Sequence, residues 1–176
     1  MLEASMHSKG VLESKQMGGA LALLRSQDLV WQPIIDNYMK GQRAPMIDLM
    51  AWNADGTRMP WRMHSEYLYR LYLDNELATN RFPVNGQRVR LSDIRVPMFV
   101  VGTEADHVAP WKSVYKVDNL VRSDDFTFLL TAGGHNAGIV CGPVHPKRHY
   151  RIKTRALADP HLAPEEWLEE ATRHEG

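Results

Sequence analysis

Two residues of this sequence have the type and the setting for proton transfer. Asp106 lies in Gly102-Thr103-Glu104-Ala105-Asp106-His107-Val108-Ala109-Pro110-Trp111, and His135 in Gly133-Gly134-His135-Asn136-Ala137-Gly138-Ile139-Val140. An imidazole ionises near neutrality, so it can take a proton from a nucleophile and return it to a leaving group. A carboxylate bonded to the far ring nitrogen fixes the tautomer and stabilises the imidazolium. Glycines at 133 and 134 permit a tight turn that aims the ring. On spacing alone, a surface aspartate and a turn histidine account for the two residues equally well.

The elements around them decide where they sit. Residues 96–101 form a continuous apolar run closed by Gly102, which suits a strand buried on both faces. A helical pattern follows at 111–120, and a second apolar run at 126–131 ends on Gly133-Gly134. Strand, helix and strand in so short a stretch make a βαβ unit with parallel strands. Asp106 and His135 then lie beyond the carboxyl ends of the two strands, the edge where open α/β sheets place ligands. Acid after one strand and histidine after the next is the order of the second half of an α/β-hydrolase triad.

Upstream the pattern is helical. Residues 16–25 and 29–40 read as helices, the second capped at Ser26-Gln27-Asp28 and carrying Val30, Ile34 and Tyr38 at spacing four. Residues 48–53 are a short apolar piece with Trp52, 61–75 a further helix, and 80–91 a small hairpin or loop around Asn85-Gly86. After Val140 the chain turns polar and proline-marked, with one more short helix expected at 164–171. The organisation expected is a leading helix and helical cap over 1–91, a sheet portion over 92–142, and a tail over 143–176.

Composition bounds the function. The 176 residues are 44% apolar and 24% charged, with 21 basic and 21 acidic side chains, so no broad nucleic-acid-binding face is expected. No apolar run is long enough for a membrane helix, and 1–10 lacks the core of a signal peptide, so the cytoplasm is the expected location. Cys141 is the one cysteine, and none of the eight histidines sits in an HxxxH pattern on an expected helix. No metal or cofactor is expected.

The two blocks around Asp106 and His135 closely resemble signature segments of polyhydroxyalkanoate synthases, as do 26–31, 48–59 and 64–69. The order and spacing of all five blocks are similar to the family's, most of all to its class I type. The resemblance runs from about Gly10 to Gly176. It implies the C-terminal part of an α/β-hydrolase fold preceded by a helical cap. It also implies a cysteine–histidine–aspartate triad acting on (R)-3-hydroxyacyl-CoA thioesters, with release of CoA. Asp106 and His135 match the family's aspartate and histidine. His107, Trp111 and Asn136 are candidate substrate contacts, although Trp111 also suits packing of its helix on the sheet. The family's nucleophile turn, Gly-x-Cys-x-Gly, does not occur in these residues, and Cys141, six residues after His135, is read as a small packing side chain.

The chain is therefore expected to be a fragment without synthase activity of its own. A homo-oligomer, a synthase subunit or the polymer granule surface are its candidate partners. An esterase-type hydrolase, or an inactive granule- or synthase-binding fragment, are the alternative functions. Asp28 is read as a helix cap, the aromatic cluster from Trp52 to Tyr72 as core, and 147–151 as a solvated basic turn with CoA phosphates as the minority reading.

Overall fold

The computed structural model describes residues 6–7, 9–24, 26–42, 45, 48–135, 138–140 and 148–175. The chain divides into two compact units, Met1–Asn75 and Glu76–Gly176.

The first unit is helical. A two-residue strand β1 (Val11–Leu12) pairs antiparallel with β2 (Met59–Pro60). Between them lie helix α1 (Ser14–Leu24) and helix α2 (Asp48–Ala54), and after β2 comes helix α3 (Trp61–Glu66). The helix expected over 29–40 forms as a run of three pieces, Gln27–Trp31, Gln32–Ile34 and Ile35–Met39. Its outer pieces are wound with wide turns, shown by the Lys40 N–H reaching the Ile35 carbonyl five residues back at 3.0 Å. The face that carries the apolar residues at spacing four is not covered: Ile34 and Tyr38 are 41% and 85% exposed. The helix expected at 61–75 behaves alike: α3 passes into a wide-turn segment, Tyr67–Leu73, closed by the Asp74 N–H on the Tyr69 carbonyl at 2.8 Å. The aromatics read as core at Trp52, Tyr67, Tyr69 and Tyr72 are exposed.

The second unit opens with the expected hairpin, β3 (Pro83–Val84) and β4 (Gln87–Arg88). Asn85 and Gly86 at φ 51° and 79° supply the two left-handed residues of a two-residue turn. The main sheet follows. Strands β5 (Met98–Thr103) and β6 (Asp125–Thr131) pair in parallel, as the βαβ reading requires. Between them, helix α4 (Trp111–Tyr115) tightens into a 3₁₀ turn, Lys116–Asn119, within the helix expected at 111–120.

The sheet does not stop at two strands. β7 (His149–Ala156) pairs antiparallel with β6, and β8 (Thr172–Glu175) pairs antiparallel with β7, giving the order β5-β6-β7-β8. Both lie in the stretch expected to be a polar tail. The reason is visible in β7. Its residues Arg151, Lys153 and Arg155 stand opposite the buried Leu130, Phe128 and Phe126 of β6, yet each carries a charge. Their stems lie along the core while their heads reach its rim, so the alternation carries no apolar signal. The Arg151 guanidinium donates to the carbonyls of Leu168 and Ala171 at 3.2 and 3.4 Å. Lys153 pairs with Glu170 at 3.2 Å.

These contacts fix helix α5 (Pro164–Glu170), found where the sequence places its last helix. Pro164 opens it, and the Glu166 carboxylate accepts the Ala163 N–H at 2.9 Å. Tyr115, Val121, Phe126, Phe128, Leu130, Trp167 and Ala171 form the core, between one sheet face and helices α4 and α5. Phe128 is fully buried, its ring 5.1 Å from Tyr115 and 5.0 Å from Trp167. On the other face Phe99 of β5 is 63% exposed, so the expected burial on both faces is not met there.

Candidate functional site

The parallel strands β5 and β6 end side by side, Thr103 opposite Thr131, and the chain leaves both ends in tight loops. The loops are tied to each other. The Glu104 N–H donates to the Thr131 carbonyl at 3.0 Å, and the Ala105 N–H to the Gly133 carbonyl at 2.9 Å. Gly133 has φ +117°, a conformation open to glycine, and an added Cβ would fall 2.1 Å from the Arg148 Nη1. Gly134 has no such constraint.

These loops bring Asp106 and His135 together. His135 Nδ1 lies 2.9 Å from Oδ2 and 3.1 Å from Oδ1 of Asp106. An ionised carboxylate offers only lone pairs, so Nδ1 must carry the proton, and the lone pair of the neutral ring sits on Nε2. The Asp106 side chain is 8% exposed and that of His135 45%. Asp106 Oδ1 also accepts the backbone N–H groups of Val108 and Ala109 at 2.8 and 2.9 Å. Burial pushes the Asp106 carboxyl up. The Ala109 N–H, the His135 ring and the Val108 N–H together outweigh it and hold the pKa at about 2. The arrangement is an oriented imidazole backed by a carboxylate that stays ionised through the working pH range.

A second histidine–aspartate pair makes the contrast clear. His161 Nδ1 is 2.6 Å from Oδ2 of Asp118, and the Arg155 guanidinium holds Oδ1 at 2.6 and 2.8 Å. But His161 Nε2 is engaged by the Asn119 amide at 2.8 Å, and its ring stacks on Tyr115. Both ring nitrogens are occupied, so this cluster is a structural tie. His135 Nε2 has no partner among the described residues. Sequence reasoning singles out neither Asp118 nor His161, because they lie 43 residues apart with no motif linking them.

The other candidates fall differently. His107 is exposed beside Asp106. Trp111 is half-buried, its ring 6.0 Å from Trp167 and 6.4 Å from Phe128, in the packing of α4 on the sheet. Asn136 and Cys141 lie outside the described residues. Two residues that the sequence offers only as part of a basic turn also adjoin the site. Arg148 Nη1 donates to the Ala132 carbonyl at 2.9 Å, and His149 Nε2 meets Glu104 Oε1 at 3.0 Å. Among the described residues no group of three His, Cys, Asp or Glu side chains could hold a metal ion, and no helix is long and apolar enough to cross a membrane.

No protein-family model matches the chain. Individual proteins do. Over 149 residues, 85% of its length, it is 40% identical to the poly(3-hydroxyalkanoate) polymerase subunit of Rhizobium meliloti, of which it covers 24%. It is 37% identical over 175 residues, 99% of its length, to the poly(3-hydroxyalkanoate) polymerase of Methylorubrum extorquens, of which it covers 28%. With the polymerase subunit of Cupriavidus necator the identity is 35% over 167 residues, 94% of this chain and 28% of that protein. The resemblance read from five sequence blocks thus extends over nearly the whole chain. The chain spans about a quarter of the length of the curated relatives it matches.

Proposed function

We propose that this chain, similar throughout to a part of poly(3-hydroxyalkanoate) polymerases, is the C-terminal portion that carries their general base and its aspartate. One observation carries the reading: His135 donates Nδ1–H to the Asp106 carboxylate at the carboxyl ends of two adjacent parallel strands, with Nε2 unengaged among the described residues. The corresponding fold is the end of an α/β-hydrolase sheet, with the helices of 1–91 as leading helix and cap, 92–142 carrying β5 and β6 with the histidine and aspartate, and 143–176 adding β7 and β8.

In the intact enzyme a cysteine from outside these residues supplies the nucleophile. His135 Nε2 takes the thiol proton. The thiolate attacks the carbonyl carbon of an (R)-3-hydroxyacyl-CoA, the bond to the CoA sulfur breaks, and the imidazolium returns the proton to the departing thiolate. Asp106 steadies the imidazolium at each step and also assists the hydroxyl of the next acyl unit, whose oxygen takes the acyl group as the bond to the cysteine sulfur breaks. His107, Trp111 and Asn136 are the proposed substrate contacts. The packing of Trp111 on Phe128 and Trp167 makes its case the weakest of the three.

The test is a chimera in which this chain replaces the matching quarter of the Cupriavidus necator polymerase, assayed by CoA release from 3-hydroxybutyryl-CoA. Turnover is expected, falling by roughly three to four orders of magnitude on His135→Gln. A folded chimera without turnover, or one whose turnover survives His135→Gln, overturns the proposal. The isolated chain is expected to release no CoA, and to remain inactive in Cys141→Ala.

A further inference from the structure

From the contacts at the start of β7 we infer that Arg148 is a positioning residue for the Asp106–His135 pair, acting through the turn that carries His135. The inference rests on reading His135 as the base, but its geometry is independent of what the enzyme acylates.

Three features of Arg148 carry it. Its Nη1 donates to the carbonyl of Ala132, the first residue after β6. Its guanidinium lies against the Cα of Gly133, where a side chain would collide with both Nη1 and Cζ, at 2.1 and 3.1 Å. Its Nε is shut off from solvent with no hydrogen-bond partner among the described residues, so the bond from Nη1 and the packing on Gly133 are what tie the group to the turn. A planar guanidinium wedged beside a glycine fills the space of the missing side chain, which a flexible ammonium does not reproduce.

The brace acts at the right place. The Gly133 peptide, against which Arg148 is pressed, offers its carbonyl to the Ala105 N–H, one residue before Asp106. The Ala132 N–H in turn donates to the His149 carbonyl at 2.9 Å. His149 then reaches across to Glu104, at the head of the Asp106 loop. Arg148 thereby grips the histidine turn, and the next residue, His149, ties that turn to the aspartate loop. His135 stands two residues beyond Gly133. A turn released from Arg148 lets the ring swing off the carboxylate without any change in either side chain of the pair.

This role differs from a charge aimed at CoA phosphates, and the difference is measurable without turnover. The readout is the protonation tautomer of His135 in the folded chain, from two-bond proton–nitrogen correlations of the ring above neutral pH. The unsubstituted chain is expected to show the Nδ1–H form imposed by Asp106. Arg148→Met keeps the stem and removes the donors. It is expected to lose that preference and give the mixed tautomers of an unrestrained imidazole. Arg148→Lys keeps one donor but no planar fork, and a partial loss is expected. Arg151→Ala removes a guanidinium that braces α5 instead; it lowers stability and leaves the tautomer of His135 unchanged.

A folded Arg148→Met chain with the Nδ1–H form intact overturns the inference. So does an equal loss in Arg151→Ala, which would make the effect one of general loosening. Should Arg148→Met not fold, Arg148→Lys decides: a tautomer population equal to that of the unsubstituted chain overturns the proposal. Failure of the chimera to release CoA, with these tautomer shifts observed, would instead count against the polymerase reading alone.

Discussion

Replacing Asp106 by alanine and by asparagine separates the two tasks its carboxylate performs. Alanine removes the acceptor of two backbone N–H groups, at 2.8 and 2.9 Å, together with the partner of His135 Nδ1. A bond to a charged acceptor is worth about 1.5–3 kcal/mol when sheltered. The Val108 N–H belongs to an exposed residue and regains water, whereas that of Ala109 is half-buried. The expected loss for Asp106→Ala is therefore about 2 kcal/mol. Asparagine keeps an oxygen at the position of Oδ1, so the loop bonds survive in neutral form and the loss is expected to stay under about 1 kcal/mol. Its amide, however, faces Nδ1 with a donor if the oxygen stays on the loop, and the tautomer of His135 should invert.

Urea unfolding followed by the fluorescence of Trp111 and Trp167 gives the first quantity, and ring nitrogen shifts give the second. The pH dependence has a defined sign. The folded carboxyl is held at about 2, below its ordinary value near 3.8. Its contribution is fully present above that ordinary value and fades as the pH falls through about 2. The gap between the unsubstituted chain and Asp106→Ala should therefore stay open down to about pH 4. Equal destabilisation by alanine and asparagine, or a gap that closes between pH 6 and 5, would refute the reasoning.

Asp118→Ala is expected to cost more than either change, about 3–5 kcal/mol, because it leaves Arg155 without its counter-charge in a cluster where the aspartate is 1% exposed. Urea unfolding reads this, and a cost below 1 kcal/mol would mean that the cluster is not a tie. Direct titration of the Asp106 carboxyl carbon should give a midpoint near 2, and a midpoint near 3.8 would remove the argument for its bonded state. Strand β5 pairs on one side only among the described residues, beside Phe99 at 63% and Val96 at 65% exposure. Self-association at micromolar concentration is expected, and Phe99→Lys should reduce it. Sedimentation showing the unsubstituted chain monomeric throughout would contradict this.

The parts of the fold legible in the sequence are those in which one residue type serves one purpose. The apolar runs at β5 and β6, the Asn85-Gly86 turn and the Pro164 helix start each follow from local chemistry, and each is found. β7 was not legible because its inward positions are basic: Arg151, Lys153 and Arg155 combine the stem of a core residue with the head of a rim residue. Wide-turn winding between Gln27 and Met39 was equally hidden, since a spacing of four looks the same whether or not the helix keeps an α turn. At the site, Asp106 and His135 could be singled out from strand order and blocks. Arg148, Glu104 and His149 could not, because their work is done on backbone and on each other through the β7 pairing, which the sequence concealed.

Two histidine–aspartate pairs of similar length occupy opposite ends of the same sheet, and what separates them is the second ring nitrogen. At Asp118 both carboxylate oxygens and both ring nitrogens are engaged: Arg155 and His161 hold the carboxylate, and Asn119 closes the ring. That pair sits near the start of β6, with Arg155 opposite Phe126. At Asp106 the carboxylate is equally well supplied, by two backbone groups and one ring, but His135 keeps Nε2 in reserve and nearly half its side chain exposed. A chain that can close a histidine so completely at one end of its sheet, and holds another open where parallel strands terminate, has the asymmetry that proton transfer requires. The bonds that hold it open run from Thr131 and Gly133 to Glu104 and Ala105, and from Arg148 to Ala132, all within the second unit. The orientation of the His135 ring is therefore a property of this stretch of chain itself.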